Sequence, residues 1–196
     1  MLEEQFAITP ALSSTACFQV RCSLELPGAK LPECKSAGAA GWDLTAAKLE
    51  VVDDLYIYDT GLAVEIPQGY FGAVCARSSI FMTGLEKCGG VTVVDSDYRG
   101  TIQVMFRKVP GDQVARARRL AELYPGREGM MRPYRVGERI AQLIILPCAM
   151  VTGNTIMSVV RAGALYTPIY PVCFTDATGE LSATARGTGG YGSTGV

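Results

Sequence analysis

The sequence predicts an all-β fold, a barrel or a jelly roll. Two observations lead there. Short runs rich in Val and Ile recur along the chain, punctuated by Gly, Pro and Asp. The apolar content suffices for a core: of 196 residues, 48% are hydrophobic and 19% charged. That length fits one domain, or one domain with insertions.

The strand signals lie at 61–66, 91–94, 101–106 and 140–146. Turn residues follow them at 67–69, 95–100 and Pro147. One segment breaks the pattern. Over 113–124, Val114, Ala117, Leu120, Ala121 and Tyr124 fall at helical spacing, with Arg116, Arg118, Arg119 and Glu122 between them. This predicts a short amphipathic helix, with a loop after it at 126–133. The last eleven residues hold five glycines, one aromatic, one arginine and three hydroxyl side chains. Alone, such a tail forms no packed element.

Composition excludes several functions. The net charge of −1 argues against broad electrostatic binding to nucleic acid, although a local site can still be positive. No stretch resembles a membrane span, and 1–10 lacks the features of a signal peptide. The seven cysteines are odd in number and include no C-x-x-C pair. They read as reduced thiols of an intracellular protein, cytoplasmic or nuclear. The chain has no histidine, which rules out a His general base, a Ser-His-Asp triad and imidazole-bound zinc.

Five stretches carry chemistry. In the tail, glycine N–H groups and hydroxyls can converge on an anion, Arg186 offers a phosphate fork and Tyr191 a stacking face. A disordered linker has the same composition. Val94-Asp95-Ser96-Asp97-Tyr98-Arg99-Gly100 reads as a hairpin turn presenting carboxylates, one of which can take a proton from water; an ordinary surface turn reads identically. Arg77-Ser78-Ser79 suits phosphate or a capped helix start. Gly137-Glu138-Arg139-Ile140-Ala141-Gln142 is a strand whose Arg, if buried, requires a carboxylate partner. Asp43 follows the small-residue run 37–41 and Trp42.

Taken in order, Ala-Gly-Ala-Ala-Gly-Trp-Asp-Leu, Arg-Ser-Ser, Val-Asp-Ser-Asp-Tyr-Arg-Gly, Gly-Glu-Arg-Ile-Ala-Gln-Leu and Arg-Gly-Thr-Gly-Gly-Tyr-Gly-Ser-Thr-Gly resemble the five motifs of the trimeric dUTPases. The resemblance spans residue 37 to the C terminus and rests on motif identity. It implies a distorted jelly-roll β-barrel and a homotrimer in which one subunit's tail closes a neighbouring active site. It divides the chain into an extension at 1–30, a barrel domain at 31–185 with insertions near 110–134 and 147–185, and a phosphate-clamp tail at 186–196.

The implied reaction is hydrolysis of dUTP to dUMP and pyrophosphate, with Mg²⁺ on the triphosphate. By position, Asp95 is the general base and Arg139 its partner. Tyr98 packs under the deoxyribose. Ser78 and Gln142 hold phosphate oxygens, with Arg77 and Ser79 supporting that loop. Asp43 reaches the metal's water shell. Arg186 binds the γ-phosphate, Tyr191 covers the uracil, and Gly192, Ser193 and Thr194 complete the clamp. Thr92 stands where the family commonly has Gly, on the wall of the base pocket. Tyr191 replaces a usual Phe and Glu138 a usual Asp.

Two rivals remain. A dCTP deaminase shares the fold, though Asp95, Tyr98 and the full tail favour dUTPase. A dUTPase-fold interaction protein could offer Thr194-Gly195-Val196 to a PDZ domain, but such an adaptor has no need of Asp95, Arg139 and Arg186.

Overall fold

The computed structural model describes residues 18–148 and 172–190, and the backbone of two short strands between them. In chain order the strands are β1 (Phe18–Leu24), β2 (Trp42–Thr45), β3 (Lys48–Val52), β4 (Leu55–Glu65), β5 (Tyr70–Ala76), β6 (Leu85–Lys87), β7 (Thr92–Val94), β8 (Thr101–Lys108), β9 (Arg139–Pro147), β10 (Met150–Thr152), β11 (Thr155–Met157) and β12 (Val172–Asp176). A 3₁₀ turn covers Ser78–Met82, and helix α1 is Gln113–Leu123. One sheet runs β12-β1-β4-β8-β6, with β3 added on β4. A second runs β2-β9-β5-β7, and β10 pairs with β11. The structure is mostly β, as the sequence predicts.

Period-two patterning builds the core. Along β8, Ile102, Val104 and Phe106 are buried while Thr101, Gln103 and Met105 are only half-buried. From β1, Val20 and Cys22 point inward; β9, an inner strand of the second sheet, does not alternate and buries Ile140, Ala141 and Leu143. Tyr58 of β4 lies fully inside, edge-on to Phe106 at 5.6 Å. Its hydroxyl is satisfied by donating to the Tyr134 carbonyl at 2.9 Å. The strand expected at 61–66 is the end of the long β4. Its pairing with β8 slips between Asp59 and Ala63. Gly61 sits in that bulge at φ 62°, and a Cβ there would lie 2.6 Å from the Leu26 Cβ. No other residue fits the position.

Four expectations change. The extension does not reach residue 30: β1 starts at Phe18 and pairs with β4 and β12, because its alternate apolar residues complete the core. The interval 147–185 is not all insertion, since β12 runs parallel to β1 within the main sheet. The turn at 95–100 does not join a hairpin. β7 pairs with β5, whereas β8 pairs with β4 and β6, so the turn crosses from one sheet to the other. The α1 helix forms where expected, and the Asp112 carboxylate caps it by accepting from the Val114 and Ala115 N–H groups. Its inner face is rotated, however. Val114 is 70% exposed, while Arg116 turns inward and donates to the Phe81 carbonyl at 2.8 Å. Tyr124 tilts against Phe81, with ring centroids 5.3 Å apart. The insertion therefore packs on the 3₁₀ turn that carries Ser78 and Ser79.

Candidate active site

Most of the described site residues gather into two groups, one beside a cavity that Arg77 and Arg139 line and the other beside a cavity that Tyr98 lines. The first belongs to the second sheet. Asp43 on β2 faces Gln142 on β9 in register. Arg77 leaves β5 to open the 3₁₀ turn. The Asp43 carboxylate accepts from Arg77 Nε at 3.0 Å and from Arg139 Nη1 at 2.6 Å, and its side chain is only 14% exposed. Arg77 Nη1 also donates to the Arg139 carbonyl at 3.1 Å and reaches Ser79 Oγ at 3.5 Å. Gln142 Nε2 donates to the Ala76 carbonyl at 3.3 Å. Ser78 is exposed beside them.

Within one chain Arg139 pairs with Asp43, and the expected pairing with Asp95 is not made there. Arg139 opens β9 beside β2, whose Asp43 lies within reach, whereas Asp95 follows β7 at the opposite edge of the sheet. A cavity of about 260 Å³ adjoins the group, lined by Arg77, Arg132, Tyr134, Glu138 and Arg139 among others. Glu138 takes a bidentate grip on Arg132 at 2.6 and 3.0 Å, which holds its carboxyl below the usual range despite partial burial.

The second group sits on the crossing turn and on the start of the tail. Arg186 Nη1 is ion-paired with Asp95 and lies 3.4 Å from Asp97. The Arg186 guanidinium carbon stands 5.6 Å over the Tyr98 ring. Tyr98 donates its hydroxyl to the Thr101 carbonyl at 3.0 Å and lies across Gly100, where any Cβ would collide with it. Burial, and secondarily Asp59, raises the Tyr98 pKa against the opposing pull of Arg186, so the phenol stays protonated. Gly190 closes on the same ring: a Cβ there would be 3.0 Å from Tyr98 Cε2. Tyr98, Thr101, Thr188 and Gly190 share one cavity of about 490 Å³. Tyr191, Gly192, Ser193 and Thr194 lie outside the described residues.

Thr92 joins neither group. It accepts Lys87 Nζ at 2.7 Å, and that ammonium also donates to the Gly90 carbonyl at 2.8 Å. Lys87 thus ties down the loop leading to Asp95, a role with no sequence signal. The sequence also gave no sign of Glu65 and Ser182, which fasten the tail to the turn through contacts 117 residues apart. Arg99, part of a motif already singled out, joins them.

A family model for dUTPase matches residues 28–123. The chain is 33% identical to the deoxyuridine 5'-triphosphate nucleotidohydrolase of Rhizobium leguminosarum bv. trifolii, over 86% of this chain and 87% of that protein. The chain belongs to the dUTPase family. The enzyme of the same name from Escherichia phage T5 is also 33% identical, over 84% of this chain and 91% of its own. The one from Chlamydia trachomatis serovar D is 33% identical over 89% and 96%. Among solved structures, the dUTPase of phage phi11 of S. aureus covers 71% of this chain and 97% of its own, with a TM-score of 0.53 at 20% identity. That structure describes the coordination of a structural Mg(II) ion. The Staphylococcus bacteriophage 80alpha dUTPase covers 90% and 98%, also with a TM-score of 0.53. These two likenesses show the fold.

Proposed function

We propose that the protein hydrolyses dUTP to dUMP and pyrophosphate at a site assembled from the two groups. The observation that carries this reading is the clustering of Asp95, Tyr98 and Arg186 in a dUTPase-family chain. Asp95 accepts a proton from the water that attacks the α-phosphorus. Its carboxylate is ion-paired with Arg186. A triphosphate carries more charge than one carboxylate, so it draws the guanidinium to itself and frees Asp95 to act as base. Tyr98, pinned by Thr101 and Gly100, lies flat beneath the deoxyribose and leaves no room for a 2′-hydroxyl. Ser78 and Gln142 hold phosphate oxygens, and the Asp43 pair fixes Arg77 beside them. The catalysis rests on positioning and charge neutralisation, which suits a chain without histidine.

Among the described residues, no three of His, Cys, Asp and Glu converge to hold a metal ion. Mg²⁺ carried by the triphosphate fits the site, with Asp43 the carboxylate beside the phosphate group. Bound there, Mg²⁺ shields phosphate charge.

The separation of the two groups within one chain supports assembly as a homotrimer, each site drawing Arg77, Asp43 and Gln142 from one subunit and Asp95 and Tyr98 from another. The jelly-roll barrel and a tail that closes over a neighbouring subunit's site belong to the same reading.

Pyrophosphate release with Mg²⁺ from dUTP, dTTP, dCTP and UTP tests the activity. Turnover of dUTP at least about 100-fold above the others is expected; equal turnover of UTP would remove Tyr98 from its role, and ammonia from dCTP would move the protein to the deaminases. Mixed assembly tests the shared site. Asp95→Asn and Arg77→Ala chains, each inactive alone, are refolded together in equal amounts. If the groups come from different subunits, about one quarter of wild-type turnover returns. No recovery would place both groups' work within one chain.

A further inference from the structure

The far end of the Tyr98 ring is held by one bond, from its hydroxyl to the Thr101 carbonyl at 3.0 Å. Thr101 opens β8, and no unbroken ladder fixes its place. The pairing of β4 with β8 runs in register from Leu55–Arg107 to Asp59–Gln103, then slips and resumes at Ala63–Thr101. Residues 60, 61 and 62 of β4 thus stand opposite Ile102 alone. A bulge of this kind interrupts the ladder, so other groups must set the first residue of β8. Side chains do so here. Thr60 donates its hydroxyl to the Ile102 carbonyl at 2.8 Å. Asp59 reaches further. Its Oδ1 accepts from the Gly61 N–H at 2.7 Å. Its Oδ2 accepts from Thr101 Oγ1 at 3.0 Å and from Gln103 Nε2 at 3.1 Å. One carboxylate therefore ties the bulge glycine to both residues that flank Ile102 on β8.

We infer that Asp59 is a positioning residue for Tyr98: it sets the Thr101 carbonyl that orients the ring, and through it the exclusion of a ribose 2′-hydroxyl. This rests on the reading of Tyr98 as the floor beneath the deoxyribose. The contacts are continuous, from Gly61 through Asp59 and Thr101 to the phenol, and each link is directional. Exclusion by contact is sensitive to such a route, since a displacement of under about 1 Å decides whether one more oxygen fits. The residue type suits the task. Three donors converge on this side chain, so it must accept from all and donate to none. A carboxylate has lone pairs enough for three, whereas an amide would turn an N–H group toward one of them. The charge reaches the phenol as well. Burial, and after it Asp59, raises the Tyr98 pKa, with Arg186 acting against both, so loss of the carboxylate lowers it.

The test is sugar discrimination in the full chain, the ratio of kcat/KM for dUTP to that for UTP. Asp59→Ala is expected to lower the ratio about 10-fold, chiefly by quickening UTP turnover, with kcat for dUTP changed less than about threefold. A purely structural role would weaken both nucleotides alike and leave the ratio in place. Asp59→Asn keeps one acceptor and is expected to lower the ratio about threefold. Thr101→Val removes the hydroxyl at nearly constant shape, so it tests the same link even if loss of Asp59 impairs folding; a drop of about fivefold is expected. Combined with Asp59→Ala it is expected to add nothing, because both cut one route. The ionisation of Tyr98, followed by NMR of ring-labelled tyrosine and assigned with Tyr98→Phe, is expected to move to lower pH in Asp59→Ala and Asp59→Asn. A wild type that prefers dUTP and keeps that preference in Asp59→Ala and Thr101→Val would overturn this inference alone, as would a Tyr98 titration that does not move. A wild type without the preference would sink the Tyr98 reading, and this inference with it.

Discussion

Asp95→Asn is expected to lower kcat for dUTP about 1,000-fold and leave KM within about threefold, the signature of a lost general base. Asparagine has nearly the same shape and can still accept a hydrogen bond from Arg186. It cannot take a proton from water. The side chain is 46% exposed and stands on a turn outside the core, so the substitution leaves folding intact; a Tm within about 2 °C of wild type is the control. Bound nucleotide separates the roles further. With Arg186 no longer drawn to a carboxylate, the tail is released from Asp95 more easily, and affinity for a non-hydrolysable dUTP analogue is expected to stay level or rise. A variant that keeps more than about a tenth of wild-type kcat would mean that the water is activated elsewhere.

What the sequence made legible, and what it hid, divide along a physical line. The strand at 101–106 was legible because alternation records which face is buried, and the one at 140–146 because its Ile- and Leu-rich run is bounded by turn residues. The α1 helix was legible by its spacing, yet the inward turn of Arg116 was not, because its partner is a backbone carbonyl on another element. The site residues could be named one by one from ordered motifs. Their pairing could not. Arg139 lies 44 residues after Asp95 and 96 after Asp43, and the choice between these carboxylates depends on β9 lying against β2 rather than β7. Strand order is a long-range outcome that no local pattern encodes. The same holds for β12, whose parallel pairing with β1 joins the two ends of the described chain. Glu65 and Ser182 are ordinary surface residues by composition and gain meaning only from being brought together.

The pairing around Asp43 leads to the second large effect. Asp43→Ala is expected to destabilise the protein by about 2–3 kcal/mol and to cut kcat/KM about 100-fold at a temperature where it remains folded. Removing one member of a buried pair leaves its partners uncompensated, and here there are two. Arg77, with a side chain 22% exposed, keeps only its bonds to Ser79 and the Arg139 carbonyl. Arg139, 40% exposed, can turn toward water, which holds the loss below the about 3–5 kcal/mol of a fully enclosed pair. For a chain of this length the shift in Tm is roughly 5–10 °C. The kinetic loss follows from position. Arg77 begins the 3₁₀ turn that presents Ser78 and Ser79, so a guanidinium free to swing displaces that turn from the phosphate chain. Asp43→Asn separates charge from shape: it can accept from one guanidinium but neutralises neither, and is expected to recover about half the stability and little of the activity. If Asp43→Ala keeps wild-type Tm and turnover, the two arginines are held by other means and the first group is not a single working unit.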